Sequence, residues 1–135
     1  MLKVCKLRYF LDSQLWKLEG KMLKNKAGFW KGKDEWNFRT KLNSDDLIYI
    51  QNIITFLGIK TNWILEAKNG EVMRELDKEE NKAEQLWKKG EPNAEGYFTL
   101  KNSKVPKILT AIASVGQGPA ESLEIKGNIT LNLTK

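Results

Sequence analysis

The stretch EQLWKKGEPNAEGYFTLKN, residues 84–102, decides how the chain is read. It runs Gln85-Leu86-Trp87, then a Gly/Pro/Asn loop, then an alternating apolar segment that ends at Asn102. Apolar–polar alternation bounded by turn residues predicts strands. The stretch is therefore either one hairpin or the seam between two copies of a repeated unit. The same alternation recurs in LIYIQN (47–52) and ITLNL (129–133). The segment EVMRELDKEENKAEQLWKK (71–89) carries helix-forming charges, Ala and Leu. Its apolar positions, Val72, Met73, Leu76, Ala83, Leu86 and Trp87, give only a partial helical stripe. It reads as two strands joined by the charged turn DKEENK (77–82).

Self-comparison favours the seam. WKLEG (16–20), WILEA (63–67) and KILTA (107–111) line up, which spaces Leu18, Leu65 and Leu109 by 47 and 44 residues. Ahead of them stand RYFLDS (8–13), IYIQN (48–52) and YFTLKN (97–102). Trp-bearing strands follow the first two, DEWNF (34–38) and QLWKK (85–89), with NITLN (128–132) in the third place. A second Gln-Leu-Trp, at 14–16, precedes a Leu-bearing strand and is read as a decoy. Four strands per unit predict an all-β domain over 1–135, with twelve strands in three pseudo-repeats at about 1–42, 43–91 and 92–135. Three units are fewer than propellers use. They fit a β-trefoil, with Leu11, Ile50 and Leu100 on the pseudo-threefold axis beside Leu18, Leu65, Leu109, Trp36 and Trp87.

Composition narrows the function classes. A chain of 135 residues buries roughly two-thirds of its unfolded surface without staples. There is no His, and Cys5 is the single cysteine, so a zinc site or a His-dependent catalyst is hard to build. GQG at 116–118 reads as a turn rather than a phosphate loop. The expectation is a non-enzyme with no metal and no cofactor. MLKVCKLRYF has no apolar run of signal-peptide or membrane-span length. With the lone cysteine this points to a reducing, cytoplasmic setting, in which the sequons at Asn128 and Asn132 go unused. The net charge of +6 is uneven, because residues 1–41 hold 11 Lys/Arg against 4 Asp/Glu.

The motif pattern resembles the ricin-B-type β-trefoil lectins. Gln85-Leu86-Trp87 looks like the Gln-x-Trp motif that closes each unit of that family, and GYFTLKNSKVPKILTA (96–111) looks like its opening strand pair. The resemblance implies a non-catalytic, lectin-like module that binds a glycan. Each unit's cleft would pair an acid after the Leu of the second strand, an aromatic platform on the third strand, and a polar group at the closing motif. Carried over, unit one has Glu19 as acid, Trp30 as platform with Phe29 as substitute, and Lys33 with Asp34 at the close. Unit two has Glu66 as acid with Glu84 and Gln85, and no aromatic platform. Unit three has Thr110 in the acidic position and Asn128 at its end. The best site is thus expected in the first repeat.

Two further readings compete. Lys17, Lys21, Lys24, Lys26, Lys31, Lys33, Arg39 and Lys41 form a candidate patch for a polyanion, whether sulfated glycan, anionic lipid or nucleic acid. Lys outnumbers Arg 20 to 3, which argues against base readout. The stretch TFLGIKTNW (55–63), rich in apolar residues, motivates a protein-binding role or else forms an extra hairpin.

Overall fold

Strand follows alternation along most of the chain. The computed structural model describes residues 9–28, 34–44, 46–112 and the backbone of 131–134. The fold is all-β. The strands are β1 (Trp16–Glu19), β2 (Met22–Asn25), β3 (Glu35–Thr40), β4 (Leu47–Phe56) and β5 (Ile59–Lys68). They continue as β6 (Glu71–Leu76), β7 (Leu86–Lys89), β8 (Leu100–Asn102), β9 (Ile108–Ala111) and β10 (Leu131–Thr134). Single 3-10 turns at Asp12–Gln14 and Ala83–Gln85 precede β1 and β7. β1 and β2 form a hairpin, and the other eight run in the order β3-β4-β5-β6-β10-β9-β8-β7, with β4 also paired to β7.

The segment 71–89 holds two strands and no α-helix, as expected, but they do not pair with each other. β6 pairs with β5 and β10, whereas β7 pairs with β4 and β8. The seam at 84–102 holds too: β7 and β8 are antiparallel, with Trp87 opposite Asn102.

One expected strand is replaced. In RYFLDS, the 3-10 turn at Asp12–Gln14 stands where a strand was predicted, and the described residues hold ten strands where the repeat predicts twelve. Gln14 Oε1 accepts from the Leu11 N–H at 2.9 Å, and the Gln14 N–H donates to Leu11 O at 2.8 Å. This reciprocal bonding between Leu11 and Gln14 caps the turn and uses backbone groups that a ladder would need. Leu11 is consequently 67% exposed rather than axial, while Ile50 and Leu100 are fully buried as predicted.

The core gathers Trp16, Leu23, Trp36, Ile48, Ile50, Leu65, Val72, Trp87, Phe98, Leu100 and Leu109. Phe38 joins it through an edge-on contact with Phe98, the ring centroids 6.0 Å apart. β4 is buried on both faces. Ile48 and Ile50 enter this core, and Tyr49 packs with Ile64 and Leu86 on the other side.

Three Trp–Asn junctions organise the core. Trp16 lies opposite Asn25, Trp36 opposite Asn52, and Trp87 opposite Asn102. These are the buried asparagines among the described residues. Each turns its amide onto a carbonyl just ahead of its Trp. Asn25 Nδ2 donates to Ser13 O (2.9 Å) and Leu15 O (3.2 Å), Asn52 Nδ2 to Glu35 O (3.1 Å), and Asn102 Nδ2 to Glu84 O (2.9 Å). Two of the indoles reach equivalent partners: Trp87 Nε1 donates to Leu65 O (3.3 Å) and Trp16 Nε1 to Leu109 O (3.0 Å).

This corrects the sequence reading in two places. Gln14-Leu15-Trp16 is no decoy; it repeats Gln85-Leu86-Trp87 down to the preceding 3-10 turn. Nor does WKLEG match WILEA and KILTA, because Trp16 does for Leu109 what Trp87 does for Leu65. The likeness of the three segments is local only. Equivalence here rests on which carbonyl an indole meets across 93 residues of sequence.

Candidate functional site

The residues singled out for sugar contact are placed unevenly. Trp30, Lys33 and Lys31, with Phe29 and Asn128, lie outside the described residues. Glu66 and Gln85 are turned inward, 6% and 3% exposed, and the Gln85 amide donates to Glu66 Oε1 at 2.9 Å. Their polar atoms satisfy each other beside the Trp87 junction, as buried polar groups must. Thr110 holds the position after Leu109 that Glu66 holds after Leu65, and it too is buried. Glu84 is half-buried, and its carbonyl carries the Asn102 amide.

Asp34 stands two residues before Trp36, the place of Gln14 and Gln85 at the other junctions. Burial pushes its carboxyl up, opposed by the Arg74 charge and a hydrogen bond with Asn52. Arg74 Nη1 donates to Asn52 Oδ1 at 3.1 Å, so an Asp–Arg–Asn cluster supports this junction.

Glu19 is exposed at the end of β1 and bridges Lys24 (2.7 Å) and Lys17 (3.3 Å). Those two partners, Lys24 foremost, hold its carboxyl below the usual range. Three more of the patch's described residues are similarly engaged. Lys21 pairs with Glu35 (3.4 Å), Lys26 with Glu95 (2.8 Å) and Asp12 (3.9 Å), and Arg39 stacks on Tyr49 at 4.2 Å. Lys41 is half-buried beside Arg39, Leu42, Tyr49 and Asn81 in a small cleft.

A larger cleft, of about 610 Å³, opens where the segment leading into the Asp12–Gln14 turn meets the loop between β7 and β8. Its walls include Tyr9, Phe10, Asp12, Lys26, Asn93 and Tyr97. Trp16 and Phe98 join the two segments by exchanging backbone hydrogen bonds of 2.8 and 2.9 Å. The loop is folded onto itself. Asn93 Oδ1 accepts from the N–H groups of Glu95 (2.9 Å) and Tyr97 (3.0 Å), and the Asn93 N–H donates to Tyr97 O (2.8 Å). Lys17 and Lys26 hold their ammonium groups 4.8 and 5.9 Å from the Tyr97 ring centroid. The Lys26–Glu95 hydrogen bond raises the lysine's pKa and lowers the carboxyl's.

Sequence reasoning missed this cleft. Tyr9 and Asp12 lie some 80 residues from Asn93 and Tyr97, and no local spacing links them. The available signal was the second Gln-Leu-Trp, which, read as a junction, brings residues 9–16 against the loop before β8.

Among the described residues no cluster of His, Cys, Asp and Glu is arranged to hold a metal ion. None of their helices is long and apolar enough to cross a membrane. Comparison with protein-family models, with curated proteins and with solved structures finds no match to this chain.

Proposed function

We propose that the chain is a β-trefoil whose third unit is closed by the Gln14-Leu15-Trp16 junction, and that it serves as a non-catalytic carbohydrate-binding module. The observation that carries this reading is the cleft where Tyr9, Phe10 and Tyr97 converge with Asp12, Lys26 and Asn93. A pyranose offers an apolar C–H face and a ring of hydroxyls. An aromatic ring suits the first, and carboxylate, amide and ammonium groups suit the second. The self-bonded loop 93–97 lowers the ordering entropy that binding must overcome. The cleft is open, so affinity at one site is weak, and useful avidity requires several copies. The site sits between the first and third units rather than wholly in the first.

A neutral glycan fits better than a polyanion. Lys17, Lys21, Lys24 and Lys26 each have a carboxylate within 4.0 Å, and a polyanion would have to break those pairs. The test is a titration of the labelled protein with neutral mono- and disaccharides and with heparin, at low and high salt. Shifts at Tyr97 and Asn93 with a neutral sugar are expected to survive salt, because stacking is screened far less than charge pairing. They should vanish in Tyr97→Ala and Asp12→Asn and persist in Trp30→Ala. Dependence on Trp30 would return the site to its first-repeat position. A response to heparin alone, lost in high salt, would sink the neutral-glycan reading in favour of the Lys patch.

A further inference from the structure

The β4–β5 hairpin outruns its neighbours. β3 accompanies β4 as far as Glu35 opposite Ile53, and β6 accompanies β5 as far as Trp63 opposite Leu76. Beyond them, Ile54–Thr61, Thr55–Lys60 and Phe56–Ile59 continue as a two-stranded ribbon. Four residues of strand carry Ile59 about 13 Å past Trp63. Residues directly opposite share a face, and faces alternate. Ile54, Phe56, Ile59 and Thr61 therefore lie on the same face as Trp63 and Leu76, whereas Thr55, Lys60 and Asn62 lie on the other.

The tip is apolar and bare. Phe56, Leu57 and Ile59 are 72%, 84% and 68% exposed. Leu57 (φ 53°) and Gly58 (φ 80°) make a two-residue turn with both residues in the left-handed region, where Asn-Gly is the favoured pair. The next hairpin uses that pair, Asn69-Gly70, with φ of 53° and 82°. A leucine in the corresponding place strains the backbone and holds an apolar side chain out into water. Broken local rules of this kind collect at functional positions. From Ile53 to Leu65 the one ionisable side chain is Lys60. Below the tip, the Arg74 guanidinium stacks on Trp63 at 4.9 Å.

We infer that this hairpin docks the protein onto an anionic lipid bilayer. Phe56, Leu57 and Ile59 enter the acyl boundary, Trp63 sits at the headgroup level, and Lys60, on the opposite face of the tip, reaches back along its stem toward the headgroups. Trp favours that level of a membrane, and cations there pair with anionic lipid. The separation of tip and collar, about 13 Å, matches insertion into one leaflet. A protein partner fits less well. The tip is convex and offers on the order of 400 Å², about half of what one side of a stable interface contributes. A fluid bilayer needs no complementary pocket, and the chain's net charge of +6 draws it to an anionic surface. The inference stands independently of the glycan cleft, which lies among other residues.

The experiment is co-sedimentation of the full chain with phosphatidylcholine vesicles, with and without phosphatidylserine, beside Leu57→Asn and Phe56→Ser. Leu57→Asn restores the favoured turn pair, so loss of binding cannot be put down to unfolding, and circular dichroism checks both variants. Expected are binding to the phosphatidylserine vesicles that high salt weakens without abolishing, and a fall of about tenfold or more in each variant. Brominated acyl chains should quench Trp fluorescence in the wild type. No sedimentation would overturn the inference, as would binding indifferent to Leu57→Asn, which would be charge adsorption alone. A concentration-dependent dimer that Leu57→Asn dissolves, without vesicle binding, would overturn it by naming a second copy as the occupant.

Discussion

Asn102→Ala tests whether the three Trp–Asn junctions hold the fold together. Asn102 is 1% exposed and makes three hydrogen bonds. Its amide donates to Glu84 O, and its Oδ1 accepts from the N–H groups of Lys104 (2.9 Å) and Val105 (3.0 Å). Truncation leaves all three partners without this side chain. At about 1 kcal/mol for each bond the loss is about 3 kcal/mol, a large part of a typical domain's stability. For a chain of this size it lowers the melting temperature by about 10 °C. Asn25→Ala removes two donated bonds, to Ser13 O and Leu15 O, and should cost about 2 kcal/mol. Asn37, whose amide bonds Gln51 at the surface, is the control, expected within about 0.5 kcal/mol of wild type on conversion to Ala. Urea unfolding with a constant m-value is the assay. The decisive comparison is Asn25 with Asn37. If Asn25→Ala is as silent as Asn37→Ala, the Gln14-Leu15-Trp16 junction bears no structural weight and its equivalence to the Trp87 junction is wrong.

Two further outcomes follow from the same geometry. Leu57→Asn should raise the melting temperature, by the equivalent of about 1 kcal/mol, because Asn tolerates the left-handed turn position that Leu resists; thermal melts without lipid would show it, and an unchanged or lowered midpoint would refute the strain at Leu57. The hydrogen bond from Lys26, and then its charge, hold the Glu95 carboxyl below its ordinary value, so the folded state binds that proton more weakly than the unfolded chain does. The pair's contribution is therefore present above the unfolded carboxyl value and is lost as pH falls through the lowered folded one. Carboxyl titration by NMR should find Glu95 moving up toward the ordinary glutamate value in Lys26→Met, and an unmoved midpoint would remove Lys26 as the cause.

Several features were legible in the chain because they are local. Period-two alternation in LIYIQN marks the strand that carries Ile50 into the core. The pairing of Trp87 with Asn102 follows from a strand, a loop and a strand in sequence. The candidate site was far less legible. Glu66 has the right chemistry for a sugar hydroxyl, yet nothing in WILEA says that Gln85, 19 residues on, turns to meet it. Glu19 reads as an acid in waiting until Lys17 and Lys24 close on it from the same hairpin.

The sequence by itself determined an all-β chain, its strand faces and the chemistry of its turns, since each follows from neighbouring residues and backbone sterics. It carried both copies of Gln-Leu-Trp, but the motif alone did not say that both close a unit. Tertiary structure decided that, by setting Trp16 Nε1 on the Leu109 carbonyl as Trp87 Nε1 is set on Leu65. The same closure brought Tyr9 and Asp12 to the Asn93–Tyr97 loop and made a cleft from segments without local kinship. The physical reason is common to both. A buried indole N–H must find an acceptor wherever the chain can bring one, and that choice is made in space rather than along the sequence.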